Sequence, residues 1–322
     1  MSEAPYLTGW RFRTVALSIV CSALGYLGFS LWGGWREVSG AIGEVGIFGI
    51  ATALLMSLIN YGLRFLRWQG YLKAFGHAIP WKPSLRIYLA GFAMTTTPGK
   101  AGEALRGVLL KRWGVSYSQS FAAFFSERLS DLFAVVLLTL FGLTLYPNAR
   151  PIIAVGAALV LVGFALLWQR RLIERLAGFA PERGGKLVGA VRHLFSVLLE
   201  AQRCHRFGML VNATALSVMA WSAEALAFCL VLNWMGAEIP VAFAMFIYAL
   251  AMLAGALSFM PGGLGGAEAV MVGLLVWNGM PSAAAVAATV LIRLATLWFA
   301  VGIGACLLLA EKPTLQNQTE QR

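Results

Sequence analysis

The sequence predicts an all-α polytopic membrane protein with about six full crossings, on the evidence of its composition, its long apolar runs and the placement of its charges. Hydrophobic residues make up 59% of the 322-residue chain and charged residues 12%, against roughly 25% charged residues in a typical soluble domain. Most of the six apolar runs approach the roughly 20 residues that cross a bilayer. The runs cover residues 15–32, 47–63, 132–146, 151–168, 207–234 and 284–310.

The first run, 15–32, is predicted to be an uncleaved membrane helix. It has no A-x-A-type cleavage site and is longer than the apolar core of a signal peptide. The longest polar stretch, the basic segment 169–206, is predicted to be a cytoplasmic loop. Because it is too short to form a second domain, the prediction is a single integral membrane domain over residues 1–322.

The positions of the basic residues predict the orientation of the chain. They concentrate before the first run, after the second run and in the loop 169–206, whereas the loops on the other side hold only Arg36 and Arg150. This positive-inside pattern predicts cytoplasmic N- and C-termini in the inner (plasma) membrane. In this count Arg64 and Arg67 are cytoplasmic-side charges that follow the second run. The net charge of +11 is therefore explained by the membrane, and no nucleic-acid partner is expected.

The sequence shows no pattern typical of a metal site, so neither a metal nor another cofactor is expected. The four cysteines have no paired spacing, and the three histidines all fall in basic loops. There is no G-x-x-x-x-G-K-[ST] motif, so the chain alone is not expected to hydrolyse ATP. Passive exchange remains open, as does proton coupling through a buried carboxylate such as Glu103, Glu268 or Asp131.

The chain contains an internal repeat. A displacement of 165 residues aligns Glu103 with Glu268 and Arg128 with Arg293. The 27-residue windows that begin at the two glutamates share 9 identities without a gap, where the composition alone would give about two or three. An odd number of predicted crossings separates the copies, so the second copy is expected to be inverted. Inverted repeats of this kind are typical of secondary transporters.

Each copy also contains a Pro-Gly turn between short apolar arms. The first repeat is predicted over about 12–168 and the second over about 207–310. The arms fit two re-entrant hairpins. The hairpins would enter from opposite faces of the membrane, and each would return to the face from which it entered. Such a conformation is tolerated where protein or a water-filled cavity surrounds it. The alternative is an ordinary extramembrane turn between two spans. The turn residues are Pro98, Gly99, Pro261 and Gly262.

Two arginines are predicted to lie at the bilayer midplane. Arg128 lies ten residues into the third crossing, or about 15 Å at 1.5 Å per residue, and Arg293 lies at a similar depth in the last. Each would cost about 2.5–3.5 kcal/mol there without a partner or water. Glu103 and Glu268 are the expected partners, since each precedes its arginine by 25 residues. Asp131 shares the helix face of Arg128 at i+3.

These pairs allow two interpretations. They are structural pairs that pin hairpins to helices, or the arginines offer a guanidinium fork to a phosphate or another anionic headgroup. One site can do both. Glu224, mid-helix in the fifth crossing, is assigned to the same cavity. Glu127 is expected to face away from Arg128 and is given no role.

Five segments carry motifs that occur together in one family: 60–68 (NYGLRFLRW), 97–106 (TPGKAGEALR), 126–131 (SERLSD), 260–268 (MPGGLGGAE) and 292–294 (IRL). Over roughly residues 12–310 the chain resembles the flippase-like family, the transmembrane region of lysylphosphatidylglycerol synthase (the multiple peptide resistance factor). The resemblance implies an inner-membrane protein with an inverted-repeat fold that moves lipids between leaflets. Two-part members carry a soluble aminoacyl-transferase domain after this region. The sequence ends at Arg322 without one, so aminoacyl-lipid synthesis is not expected.

The function predicted from the sequence is therefore translocation of a polar or anionic membrane lipid, without catalytic residues. The resemblance does not supply the lipid, and a homo-oligomer is compatible with the prediction. A first alternative is a membrane-embedded lipid-phosphate transferase or hydrolase, for which only Asp131, Glu103 and Glu268 could serve as nucleophile or base. A second alternative is a non-transporting scaffold that recruits partners through the loop 169–206.

Overall fold

A computed structural model describes residues 28, 35–96, 101–143, 146–179, 186–258 and 260–310, and all regular structure within these ranges is helical. The predicted first crossing and the turn residues Pro98 and Gly99 lie outside them. The helices are α1 (Trp35–Ala74), α2 (Trp81–Ala90), α3 (Ala101–Lys111), α4 (Tyr117–Thr139), α5 (Arg150–Trp168), α6 (Arg170–Phe179), α7 (Lys186–Ala201), α8 (Phe207–Trp234), α9 (Val241–Leu257), α10 (Gly266–Trp277), α11 (Ser282–Arg293) and α12 (Phe299–Ala310).

Four helical segments in these ranges are long and apolar enough to cross a membrane. They match the second, fourth, fifth and sixth predicted runs, which confirms the class of all-α membrane protein. The predicted third crossing corresponds to α4, which is long enough at 23 residues but carries three charges at its centre. The count of six crossings therefore stays a prediction. The four segments are Arg36–Ala74, Pro147–Trp168, Phe207–Trp234 and Ser282–Leu308.

The start of α4 is fixed by a capping box. The backbone N–H of Gln119 donates to the Ser116 hydroxyl over 3.2 Å, and the Ser116 N–H donates to the Gln119 side chain over 3.1 Å. This reciprocal pair satisfies two N–H groups that would otherwise lack partners. The cap therefore fixes the first turn of α4, the helix that carries Glu127, Arg128 and Asp131.

The internal repeat is visible in the backbone. Gly76 follows α1 with φ of 90°, and Gly236 follows α8 with φ of 74°. A second matching pair, Gly114 and Gly279, has φ of 79° and 93°. Glycine adopts this left-handed conformation without the steric cost that other residues meet. The same order of helices and turns therefore occurs twice, in α1–α4 and in α8–α11.

The two copies are inverted where they meet. The Asn60 side chain donates to the Ala220 carbonyl over 2.8 Å, and nearer the start of α1, Gly49 lies against the Trp234 ring. Residue numbers thus rise along α1 while they fall along α8, so these equivalent helices pack antiparallel. The outer bounds of the two repeats, about 12–168 and 207–310, stay a prediction.

The Pro-Gly turn of the second copy joins helical arms, and the described residues on either side of the first turn are also helical or turn. In the second copy α9 and α10 pack against each other and are joined through a short 3-10 turn at Pro261–Gly263. In the first copy α2 continues as the 3-10 turn Gly91–Met94, which packs against α3. A methyl group placed on Gly262 would lie 3.3 Å from Cγ2 of Thr96. The ends of the two hairpins are therefore adjacent in the interior.

Candidate functional site

Asp131, in the middle of α4, joins three helices through its carboxylate. Its Oδ1 accepts hydrogen bonds from Arg67 Nη1 at 2.6 Å and from Trp221 Nε1 at 3.1 Å. Its Oδ2 lies 3.3 Å from Arg64 Nη2 and 3.0 Å from Arg128 Nη2. One carboxylate thus holds three guanidinium groups side by side, two from α1 and one from its own helix.

Glu127 corrects the sequence prediction, since it does not face away from the site. It is 1% exposed and lies 3.1 Å from Arg106 Nη1 and 3.8 Å from Arg67 Nη2. Glu127 and Asp131 are separated by four residues and so share one face of α4. The sequence prediction compared Glu127 only with its neighbour Arg128 and did not consider Arg67 and Arg106 as partners.

Arg106, on α3, completes the cluster. Its Nη2 donates to the Tyr88 carbonyl over 3.2 Å, and its guanidinium carbon lies 4.4 Å from the centroid of the Tyr88 ring. A cation over an aromatic face is attracted by the ring quadrupole, most strongly away from water. Hairpin arm α2, α3 and α4 are therefore tied together by one arginine.

The cluster holds more arginines than directly paired carboxylates. Among the described side chains, four arginines contact two carboxylates, Glu127 and Asp131. This count covers direct contacts only: Glu224 interacts with Arg64 at longer range, and the side chain of Glu103 lies outside the described set. The Nε groups of Arg64, Arg67 and Arg128 are buried without a hydrogen-bond acceptor in the described part of the chain. Buried arginines in excess of their directly paired carboxylates call for an anion. The arginine cluster comprises Arg64, Arg67, Arg106, Arg128, Glu127 and Asp131.

Only part of the cluster can be reached from outside. The Arg128 side chain is 42% exposed and that of Arg64 13%, whereas that of Arg67 is 1% exposed. The guanidinium of Arg64 lies 5.6 Å from the centroid of the Trp221 ring. A ligand would therefore meet Arg128 first and Arg64 next, with Arg67 behind them.

In the second copy the predicted pairing of Arg293 with Glu268 is present. Arg293 Nε donates to Glu268 Oε1 over 2.7 Å, and both side chains are 4% exposed. Arg293 Nη2 donates to the Gly262 carbonyl over 2.7 Å. Glu268 Oε2 accepts the backbone N–H of Gly265, also at 2.7 Å. This pair closes the Pro-Gly turn of the second hairpin onto α11.

Glu224 lies between these two sites. It is 5% exposed, and its Oε2 accepts a hydrogen bond from the Tyr248 hydroxyl at 2.6 Å. Trp221, one turn earlier on α8, points to Asp131 of the arginine cluster. The structure therefore places Glu224 one turn from the cluster, while its assigned role in a shared cavity stays a prediction.

Sequence reasoning missed four members of the cluster: it counted Arg64 and Arg67 as loop charges and left Arg106 and Glu127 out. Arg64 and Arg67 are within α1, because that helix continues to Ala74. A second alignment of the sequence with itself, at a different offset, would have pointed to part of the site. A shift of 160 residues aligns Arg64 with Glu224 and Tyr88 with Tyr248.

The donor set of the cluster suits an anion. It consists of guanidinium groups, an indole N–H and aromatic faces. No group of three or more histidine, cysteine, aspartate and glutamate side chains arranged for a metal ion occurs among the residues that the structure describes. Guanidinium groups match carboxylate and phosphate geometry through paired N–H donors.

Fold and site together define a helical membrane protein in which equivalent helices of two similar units pack antiparallel, with an arginine-rich polar cluster in the first unit. The family model described as the lysylphosphatidylglycerol synthase TM region matches residues 14–304. The chain belongs to this family, and the family resemblance inferred from the motifs is confirmed.

The relatives extend over nearly the whole chain. A UPF0104 membrane protein of Methanothermobacter thermautotrophicus is 28% identical over 316 residues, which cover 92% of each chain. A UPF0104 membrane protein of Pyrococcus horikoshii is 24% identical over 318 residues, which cover 89% of this chain and 94% of the relative. These names identify membrane proteins without stating a substrate.

Proposed function

We propose that the protein moves an anionic lipid between the leaflets of the inner membrane, with both termini in the cytoplasm, and that it is not an enzyme. The observation that carries the proposal is the excess of arginines over directly paired carboxylates in the arginine cluster. Its two more exposed members, Arg64 and Arg128, are held next to each other by one carboxylate oxygen of Asp131.

In this proposal Arg64 and Arg128 bind the phosphate of a lipid headgroup. Arginine binds phosphate through paired N–H donors, and these charge-assisted bonds are about twice as strong as neutral ones. Asp131 keeps the two guanidinium groups together and prevents their mutual repulsion from separating them. The headgroup would thereby exchange its hydration for fixed protein donors while its acyl chains remain in lipid.

The inverted halves supply a route between the leaflets. In transporters with inverted repeats, one half rocks against the other around a fixed site near the midplane. We assign this role to the antiparallel packing of α1 on α8 and to the adjacent hairpin ends. The hairpins are proposed to be re-entrant, with Arg293 and Glu268 holding the second and Glu103 assigned to the first.

The environment of Asp131 favours translocation over hydrolysis of a lipid phosphate. A nucleophile or general base needs a free lone pair near the reacting atom. Both oxygens of Asp131 already accept hydrogen bonds from arginines. At Glu127, Oε2 accepts a hydrogen bond from Arg106, whereas Oε1 has Arg67 Nη2 at 3.8 Å.

The proposal is tested in proteoliposomes that contain fluorescently labelled phosphatidylglycerol. Leaflet exchange is followed by chemical quenching of the outer leaflet. Arg64→Gln and Arg128→Gln should each slow exchange by about tenfold or more, because a hydrogen bond to a charged group contributes about 1.5–3 kcal/mol and 1.4 kcal/mol is tenfold. Exchange of a labelled neutral glycolipid should be slow and insensitive to both substitutions.

The matched control is Arg86→Gln, at an exposed arginine on α2 outside the cluster. It should exchange the anionic lipid at the wild-type rate. Wild-type rates in both cluster variants, with correct insertion, would refute the proposed site. Absence of exchange by the wild-type protein would refute the proposed function.

A further inference from the structure

Glu224 differs from the other buried carboxylates of the described chain. Glu127, Asp131 and Glu268 each have an arginine nitrogen within 3.1 Å. No arginine or lysine nitrogen among the described side chains lies within 4.0 Å of the Glu224 carboxylate. Its hydrogen-bond donor is instead the neutral hydroxyl of Tyr248.

The bond between Glu224 and Tyr248 lies beside a second polar contact between helices. The Tyr61 hydroxyl of α1, which is close enough to Glu224 to interact with its charge, donates to the Thr296 carbonyl. Thr296 lies in a π-helical segment, Leu294–Trp298, directly after Arg293. Single π turns inside α-helices are frequent at functional sites. These contacts link α8 to α9, and α1 to the π-helical segment that follows Arg293.

Ionisable groups face Glu224 from each helix packed against the middle of α8. Two of these groups are cations: one belongs to the arginine cluster and the other to the Arg293–Glu268 pair. Neither makes a direct ion pair with Glu224. The other segment that contacts α8 is the turn before its first residue. This turn is about 25 Å from Glu224 along the helix, at 1.5 Å per residue. The groups are Tyr61 and Arg64 of α1, Asp131 of α4, Tyr248 of α9 and Arg293 of α11.

The charge of Glu224 therefore depends on what occupies the arginine cluster. A buried charge is costly unless it is paired, and for Glu224 the compensation comes from more distant cations, Arg64 foremost. An anion bound to Arg64 would cancel that compensation and add a repulsion. The neutral carboxylic acid would then be the favoured form. Carboxylic acids inside membrane proteins commonly mark proton pathways.

We propose that Glu224 is a proton-binding site coupled to the anion site at Arg64 and Arg128, so that binding of an anionic headgroup is accompanied by uptake of one proton. This inference rests on the proposed function. The proton passes from water to a carboxylate oxygen of Glu224, which becomes a neutral acid, and it leaves when the headgroup is released. By reciprocity, protonation of Glu224 tightens headgroup binding. The lipid and the proton would therefore move together.

The test uses purified protein in weakly buffered detergent, mixed with dioctanoyl phosphatidylglycerol. A pH-sensitive dye reports proton uptake, and tryptophan fluorescence reports binding. Wild-type protein should take up close to one proton for each lipid bound. Glu224→Gln keeps an oxygen acceptor for Tyr248 and resembles the protonated acid, so it should bind the lipid without proton uptake. Glu44→Gln, at an exposed glutamate of α1, should behave as wild type.

The outcomes separate this inference from the function on which it rests. Lipid binding by wild type without proton uptake, or equal uptake by Glu224→Gln, overturns the inference and leaves the anion site standing. Absence of binding by wild type overturns both.

A second variant covers the case in which Glu224→Gln does not fold. Tyr248→Phe removes the donor that stabilises the charged carboxylate, so the pH of half-maximal proton uptake should move upward. An unchanged pH profile in this variant overturns the inference.

Discussion

The arginine cluster of the first copy and the Arg293–Glu268 pair of the second occupy equivalent places in the repeat, yet they differ in charge balance and in exposure. The pair is neutral, and both side chains are 4% exposed. The cluster has more arginines than directly paired carboxylates, and its Arg128, equivalent to Arg293, has a side chain that is 42% exposed.

The difference comes from two positions on the equivalent helices. Glu127 and Asp131 of α4 correspond to Ile292 and Thr296 in the second copy. The two carboxylates gather further arginines around Arg128, whereas Arg293 is left with Glu268 and the backbone of its own hairpin. In the second copy the pair is buried and neutral, whereas in the first copy Arg128 and Arg64 are partly exposed, where the proposed ligand would bind. Equivalent residues in a repeat need not share a function.

The largest effect expected from this comparison is a loss of stability in Arg293→Ala. The change leaves Glu268 buried without its cation and the Gly262 carbonyl without its donor. Breaking a buried ion pair by removing one partner costs about 3–5 kcal/mol. Arg128→Ala, at a much more exposed arginine, should cost less than about 1 kcal/mol. The free energy of unfolding, measured by denaturant titration in mixed micelles, compares the two variants.

The control for this prediction removes both charges of the pair. The double variant Glu268→Gln, Arg293→Gln leaves no uncompensated ion, so it should recover most of the stability that Arg293→Ala loses. Equal losses in Arg293→Ala and Arg128→Ala would break the distinction between a structural pair and a ligand-facing cluster.

A smaller effect is expected at the turn of the second hairpin. Gly262 has φ of 63°, and a methyl group there would press on Thr96 of the first hairpin. Gly236 has φ of 74° in a loop with no atom near such a methyl group. Alanine in this conformation costs about 1–2 kcal/mol, so both Gly→Ala variants should lose stability by this amount. Only Gly262→Ala should also slow lipid exchange, because only Gly262 lies where the hairpins meet.

The measurement is the leaflet-exchange assay combined with unfolding of each variant. Equal exchange rates in Gly262→Ala and Gly236→Ala would mean that the contact between the hairpins has no part in translocation. The second hairpin would then be a structural element only.

The sequence predicted the features that leave a local or periodic signal. Apolar runs predicted the membrane helices, and the displacement of 165 residues predicted that Arg293 and Glu268 would meet. The matching glycines at positive φ, Gly114 and Gly279, are one of the identities in that alignment. The crossing count stays a prediction, since the first run lies outside the described residues and α4 carries central charges.

The arginine cluster could not be predicted in full, because its members come from three helices and their partners are far apart in sequence. Arg64 and Arg67 follow an apolar run, so a charge count places them in a loop, whereas α1 continues through them. The direction of Glu127 depends on how α4 packs against α1 and α3. Arg106 meets Glu127 only because α3 returns to pack on α4. Such contacts are set by tertiary packing.

The smallest expected effect concerns His205, in the turn that connects the two copies ahead of α8. Burial lowers the pKa of this imidazole from its ordinary value of 6.5, and a hydrogen bond to the Ala201 carbonyl offsets this in part. The unfolded chain therefore binds a proton at a higher pH than the folded protein. Stability is complete above about pH 6.5 and falls on acidification, by at most about 1.4 kcal/mol per pH unit. His205→Gln should flatten this slope when unfolding is measured at about pH 7.5 and 5.5. If the unfolding free energy of the wild type and of His205→Gln changed equally with pH, the acid sensitivity would come from groups other than His205.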